Sequence, residues 1–223
     1  MNAPANIFSL SPQVARQVYQ FIFSPATDAE PSKLAAIVPA GLDPASPCGA
    51  RALRTSLGLD DPVLDLSRVE HRLALLPREG LGVLARFVAI GLLAWPIRRV
   101  IRKAEFERLA SSLSEAEWAY VMSRSERDAS ATSKPGANTP DGHTLADQID
   151  QAGWAEIDAA SHALPQPIGF RLRLKLPQGR SGSVTAQVAG LSLERALDAY
   201  ESAVLAWRPH WDQQFTAPHA RGL

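Results

Sequence analysis

Apolar side chains recur at every third or fourth position through most of this chain, a spacing that predicts short helices. The first helix is expected over residues 9–22, with Ser9 or Ser11 as N-cap, Pro12 in the first turn, and Val14, Val18 and Phe21 or Ile22 on one face. Residues 23–47 carry five prolines around a short helical piece at 33–38 and should wrap over the core as ordered but irregular chain. Short helices follow at 50–57, stopped by Gly58, and at 67–76, ending before Pro77. The longest apolar helix is expected from Pro77 to about Trp95, with Leu81, Leu84, Val88, Leu92 and Trp95 along it and Pro96 as its break or kink. Further helices are read at 97–113, with Phe106, Leu109 and Leu113 on its apolar stripe, and at 115–124. Ser114 and Glu117 between them have the spacing of a capping box.

Residues 126–143, ERDASATSKPGANTPDGH, carry almost no apolar side chain and cannot offset their ordering entropy by burial, so they read as a flexible polar loop. A helix is expected from Thr144 to about Leu164. The pattern then changes period. Phe170, Leu172, Leu174 and Leu176 alternate with Arg171, Arg173 and Lys175, which predicts a strand. Residues 177–183 supply a turn, and Val184, Ala186 and Val188 alternate again as its partner. A helix after Ser192, with Leu193, Leu197, Tyr200, Val204 and Trp207 inward, would cover this hairpin. The expected fold is therefore mainly α (α+β), a compact stack of short helices with a small C-terminal antiparallel β-hairpin. Residues 1–125 form the helical core, 126–143 the loop, and 144–223 pack on the core as part of one globular unit.

Composition narrows the function more than the fold. The 223 residues are 46% hydrophobic, enough for a core without covalent staples. The 23 basic and 23 acidic residues cancel, so no net field draws the molecule to nucleic acid or an anionic membrane. The N-terminus lacks a secretion-signal pattern. The longest uncharged apolar run, Phe87 to Ile97, has 11 residues where a bilayer takes roughly 20. With Cys48 as the one cysteine, an intramolecular disulfide is excluded and a reducing, cytoplasmic setting is expected.

Candidate chemistry is sparse. Cys48, in the run ASPCGA, has no nucleophile signature and reads as a partly buried, inert thiol, the enzyme alternative being a site built on Cys48 with a distant histidine. No two of His71, His143, His162, His210 and His219 share the i, i+4 spacing of a helical metal pair. The run from Gly179 to Gly182 does not open a helix as a phosphate loop would. Asp60 with Asp61, and Asp147 with Asp150, read as turn and helix-start carboxylates. No catalytic residue, metal or cofactor is expected. The charge feature that stands out is IRRVIRK at 97–103, where Arg98, Arg99, Arg102 and Lys103 form either a solvated face beside Glu105 and Glu107 or a docking patch. Reversing Arg98 and Arg102 is expected to weaken docking and leave the fold intact. A nucleic-acid-binding regulator using this segment is the other alternative, and no interleaved aromatics support it. Arg171, Arg173 and Lys175 form a second basic face, whose bland role would be to guard an edge strand.

Six landmarks in order, FIFSPA at 21–26, PSKL at 31–34, HRLALLP at 71–77, the helix around Gly91, IRRVIR at 97–102 and FRLRLKLP at 170–177, resemble the SctK family, also called YscK, PscK or OrgA. These are accessory proteins of bacterial type III secretion. The resemblance covers residues 20–125 best and 165–207 loosely, and the segment 126–143 departs from it. It implies a non-enzymatic adaptor in the sorting platform of the injectisome, at the cytoplasmic face of the inner membrane. Its partners would be the cytoplasmic domain of an SctD-like ring protein and an SctQ-like pod protein, and through the latter SctL and the ATPase SctN. It fixes no contact residue.

Overall fold

The computed structural model describes residues 11–38, 41–59, 64–100, 103–124, 145–177 and 184–215. Helix α1 spans Pro12–Phe23, capped by Ser11, whose hydroxyl accepts from the Val14 amide at 3.4 Å. Helices α2 (Pro31–Ile37) and α3 (Pro47–Ser56) also open on proline, whose missing amide costs nothing in a first turn. Helix α4 (Val69–Leu75) leads into α5 (Arg78–Arg98), the longest element of the N-terminal half. Pro96 does not end α5, which runs two residues past it before closing at Arg99. A proline in the last turn removes one helical hydrogen bond and leaves little helix to disrupt.

Helix α5 is apolar nearly all round because it is enclosed. Leu81, Leu84, Phe87, Val88, Ile90 and Ile97 are buried beneath α7 (Glu115–Ser123), α8 (Leu145–Ser161) and α10 (Ala186–Trp207). Its length and mean hydropathy of 1.8 would suffice to cross a bilayer, but 56% of that apolar window is already buried inside the protein. Helix α6 (Lys103–Ser112) precedes α7, and the capping box read from Ser114 and Glu117 is formed. The segment 126–143, Asp60, Asp61 and the turn from Gly179 to Gly182 lie outside the described residues.

The expected hairpin is replaced by helix. Residues Gln166–Lys175 form α9, α10 begins at Ala186, and no strand occurs among the described residues. The alternation that suggested a strand also contains the helical set Ile168, Arg171, Leu172 and Lys175, and this face is the one buried. Nor do the three cations share one solvated face: Arg171 is 1% exposed and Lys175 4%, while Arg173 stacks over Phe170 at 5.2 Å. Gly169 permits this packing, because a Cβ there would collide with the Ser161 carbonyl at the end of α8.

Helix α10 also packs differently from its large residues. Its buried stripe is Ala189, Ser192, Ala196, Ala199 and Ala203 with Tyr200 and Val204, while Leu193, Leu197 and Trp207 sit at its margins. Small residues let its backbone approach α5 and α8 closely. Beyond it, Trp211 is fully buried and donates to the Tyr200 hydroxyl at 3.1 Å, which donates to Asp212 at 3.0 Å. Burial, reinforced by Asp212, pushes the Tyr200 phenol well above its ordinary range, so it stays a neutral donor.

Candidate interaction surface

The basic segment at the end of α5 is divided by the fold. Arg98 turns inward and donates to the Val121 carbonyl at 3.1 and 2.8 Å and to the Arg124 carbonyl, closing the C-terminus of α7. Arg99 is exposed with its guanidinium 5.0 Å from the Trp95 ring centroid. Lys103 is 89% exposed, with Glu107 at 3.8 Å, and Arg102 lies outside the described residues. Of the residues read as a docking patch, Arg99 and Lys103 are the described ones free to meet a partner. The expectation that reversing Arg98 spares the fold is corrected by the same geometry. Arg98→Glu is expected to cost about 2 kcal/mol in urea unfolding, because it strips donors from half-buried carbonyls and sets an anion at a helix C-terminus. Lys103→Glu is expected to change stability by less than about 0.5 kcal/mol, as befits an exposed charge.

Arg98 is one case of a general arrangement in which cations from one helix close the C-terminal ends of others, where unpaired carbonyls and the negative dipole end face the core. Arg171 on α9 donates to the Phe21 and Ile22 carbonyls of α1. Lys175 donates to Ala74 and Leu76 at the end of α4, at 3.0 and 2.8 Å. Lys33 on α2 donates at 2.6 Å to the Arg173 carbonyl on α9. Arg86 on α5 reaches the Ser112 carbonyl ending α6 at 2.9 Å, and binds Glu117 and Asp150 at 2.7 Å each. Burial pushes the Glu117 carboxyl upward, but hydrogen bonds from Arg86 and Ser114 outweigh it and hold it below the usual range.

Lys175 makes this arrangement testable by pH. Burial lowers its pKa from 10.5 to about 8 against the opposing pull of Asp28. Between those values the unfolded chain binds more protons than the folded one, so stability rises with pH across that window. Relative to Lys175→Met, the native protein is expected to gain up to roughly 3 kcal/mol from pH 7 to pH 10 in urea unfolding. A difference independent of pH would mean that the ammonium does not titrate inside the fold.

The residues considered for catalysis do not converge. Cys48 is exposed on α3, contrary to the partly buried thiol expected. His71 is 4% exposed, its Nδ1 accepting from the Asp65 amide at 2.9 Å, and burial lowers its pKa so that it holds a loop as neutral imidazole. His162 and His210 lie at the end of α8 and beyond α10, whereas His143 and His219 are outside the described residues. Asp150 is taken by Arg86. Among the described residues no three His, Cys, Asp or Glu side chains are grouped to hold a metal ion.

Two exposed apolar surfaces escaped the sequence reading, which sought polar chemistry. The first is a groove of about 600 Å³ between α1 and α3, lined in part by Tyr19, Phe23, Arg51 and Arg54 over Ala50 and Leu59. Tyr19 and Phe23 sit one turn apart, and among the described residues no histidine or carboxylate lines the groove. The second lies on α6 and α7, where Phe106 is 48% exposed against Trp118 and Met122 is 68% exposed. No protein-family model matches this chain, and neither does any curated protein or solved structure.

Proposed function

We propose that this chain is a non-enzymatic adaptor of a bacterial type III secretion system, linking the cytoplasmic domain of an SctD-like ring protein to an SctQ-like pod protein. It would work in the bacterial cytoplasm beneath the inner membrane, by stoichiometric binding, with no cofactor and no direct membrane insertion. The sequence landmarks that resemble the SctK family motivate the assignment. The observation that carries the adaptor reading is how the side chains divide. Buried cations are spent on closing helix ends, while Tyr19, Phe23, Phe106 and Met122, residue types that bury well in interfaces, stand exposed.

The test is co-purification of the full chain with the candidate SctQ and, separately, with the cytoplasmic domain of SctD, read by size-exclusion chromatography with light scattering. A discrete complex of defined mass with each is the expected result. Soluble, folded partners that both fail to bind at micromolar concentration would overturn direct pairwise bridging.

A further inference from the structure

We infer that the α1–α3 groove is a binding site for an acidic peptide segment of a protein partner, with a carboxylate on Arg51 and an apolar side chain against Tyr19 and Phe23. The groove sets an exposed aromatic wall opposite a cationic one. Its aromatic wall is exposed, Tyr19 at 60% and Phe23 at 39%, with ring centroids 4.9 Å apart and planes tilted by 44°. Its other wall is cationic. Arg51 and Arg54 are three residues apart on α3 and share a face, and Arg54 stacks 5.5 Å from the centroid of Phe23.

Charge decides the occupant. Among the described residues no Asp or Glu lines the groove and the exposed Arg51 has no ion pair, unlike Arg86, Arg124 and Arg195, each of which holds a carboxylate. A guanidinium beside an aromatic wall binds a carboxylate through paired N–H donors while an adjacent apolar side chain covers the ring. Arginine and tyrosine are also the residue types that dominate interface energetics. The groove is partly open to solvent, which suits a peptide lying on the surface better than a small ligand that needs most of its surface enclosed. Two cations on a chain of zero net charge make a poor track for a polyphosphate backbone.

Peptide capture here does not depend on the secretion assignment, and its test uses peptides alone, so either reading can fail without the other. The full chain is probed with an array of hexapeptides bearing three Asp or Glu and one Phe or Leu in every order, beside matched arrays carrying Gln or Asn and carrying Lys. The strongest members are then measured by fluorescence anisotropy. Selective binding of the acidic array is expected, weakened about tenfold or more by Arg51→Glu and by Tyr19→Ser, and unchanged by Arg108→Glu, which alters net charge equally on α6. All three side chains are exposed, so each variant should keep the native unfolding midpoint. Equal retention of the neutral array, equal loss in Arg108→Glu, or no binding by the acidic array would overturn the proposal. Binding of ATP or polyuridylate that needs Arg51, without acidic-peptide binding, would overturn it in favour of a phosphate ligand.

Discussion

Arg171→Met is expected to destabilise the protein by about 3 kcal/mol in urea unfolding, a large effect for a residue whose sequence context suggested a solvated strand face. Arg171 is 1% exposed and sends Nε to the Phe21 carbonyl at 3.1 Å, Nη2 to Ile22 at 3.3 Å and Nη1 to Pro167 at 2.9 Å. Methionine roughly preserves the apolar stem but supplies no donor. The first two carbonyls belong to buried residues at the end of α1, and each acceptor left without a partner costs about 1–3 kcal/mol. Removing the charge returns its own desolvation cost. That return would dominate if the partner vanished with it, but backbone carbonyls stay in place whatever occupies position 171. Arg171→Lys is expected to lose about half as much, since an ammonium cannot span the carbonyls with a planar fork. A methionine variant within about 0.5 kcal/mol of native would show that the guanidinium does not hold α1.

The same residue marks where sequence reasoning stops. Helix starts were legible where local chemistry writes them, at Ser11 before Pro12 and at Ser114 three residues ahead of Glu117, whereas α3 opens at Pro47 behind its Ser46 cap, three residues ahead of the helix expected from 50. Helix α9 was misread because a strict period of two over seven residues was given more weight than residue type. Between Phe170 and Pro177 there is no β-branched side chain, leucine, arginine and lysine are helix formers, and Pro167 sits in a first helical turn. Those cues pointed to helix. What could not be read is that Arg171 and Lys175 would be buried, because the carbonyls that accept from them belong to α1 and α4, far away in sequence. That Arg98 turns inward could not be read for the same reason, its acceptors being on and beyond α7. The α1–α3 groove was hidden differently. Tyr19 and Phe23 fall off the apolar stripe of α1, and only the placement of α3 turns them from stray exposed aromatics into a wall.

The largest single-residue effect is expected at Gly153, where alanine should cost about 3 kcal/mol or more and a larger β-branched residue should prevent native packing. Glycine inside a helix is unfavourable relative to alanine by up to about 1 kcal/mol, so its place in the middle of α8 needs a packing cause. The cause is α5. A Cβ on Gly153 would fall well inside van der Waals contact with the Ala85 carbonyl and 3.1 Å from its Cα, and backbone atoms cannot swing away as a side-chain tip can. The two helices would have to separate along an interface that holds Leu81, Leu84, Val88, Ile149 and Ile157, opening space among residues packed at interior density. Gly190 on α10 supplies the internal control, because a Cβ there meets nothing within 4 Å. Gly190→Ala is therefore expected to stabilise by roughly 0.5–1 kcal/mol through helix propensity and a less flexible unfolded chain. The pair is measured as urea midpoints at constant m-value. Opposite signs for one chemical change would locate the cost in the α5–α8 contact, whereas a stabilising Gly153→Ala would mean that these helices do not approach as closely as their backbones are placed.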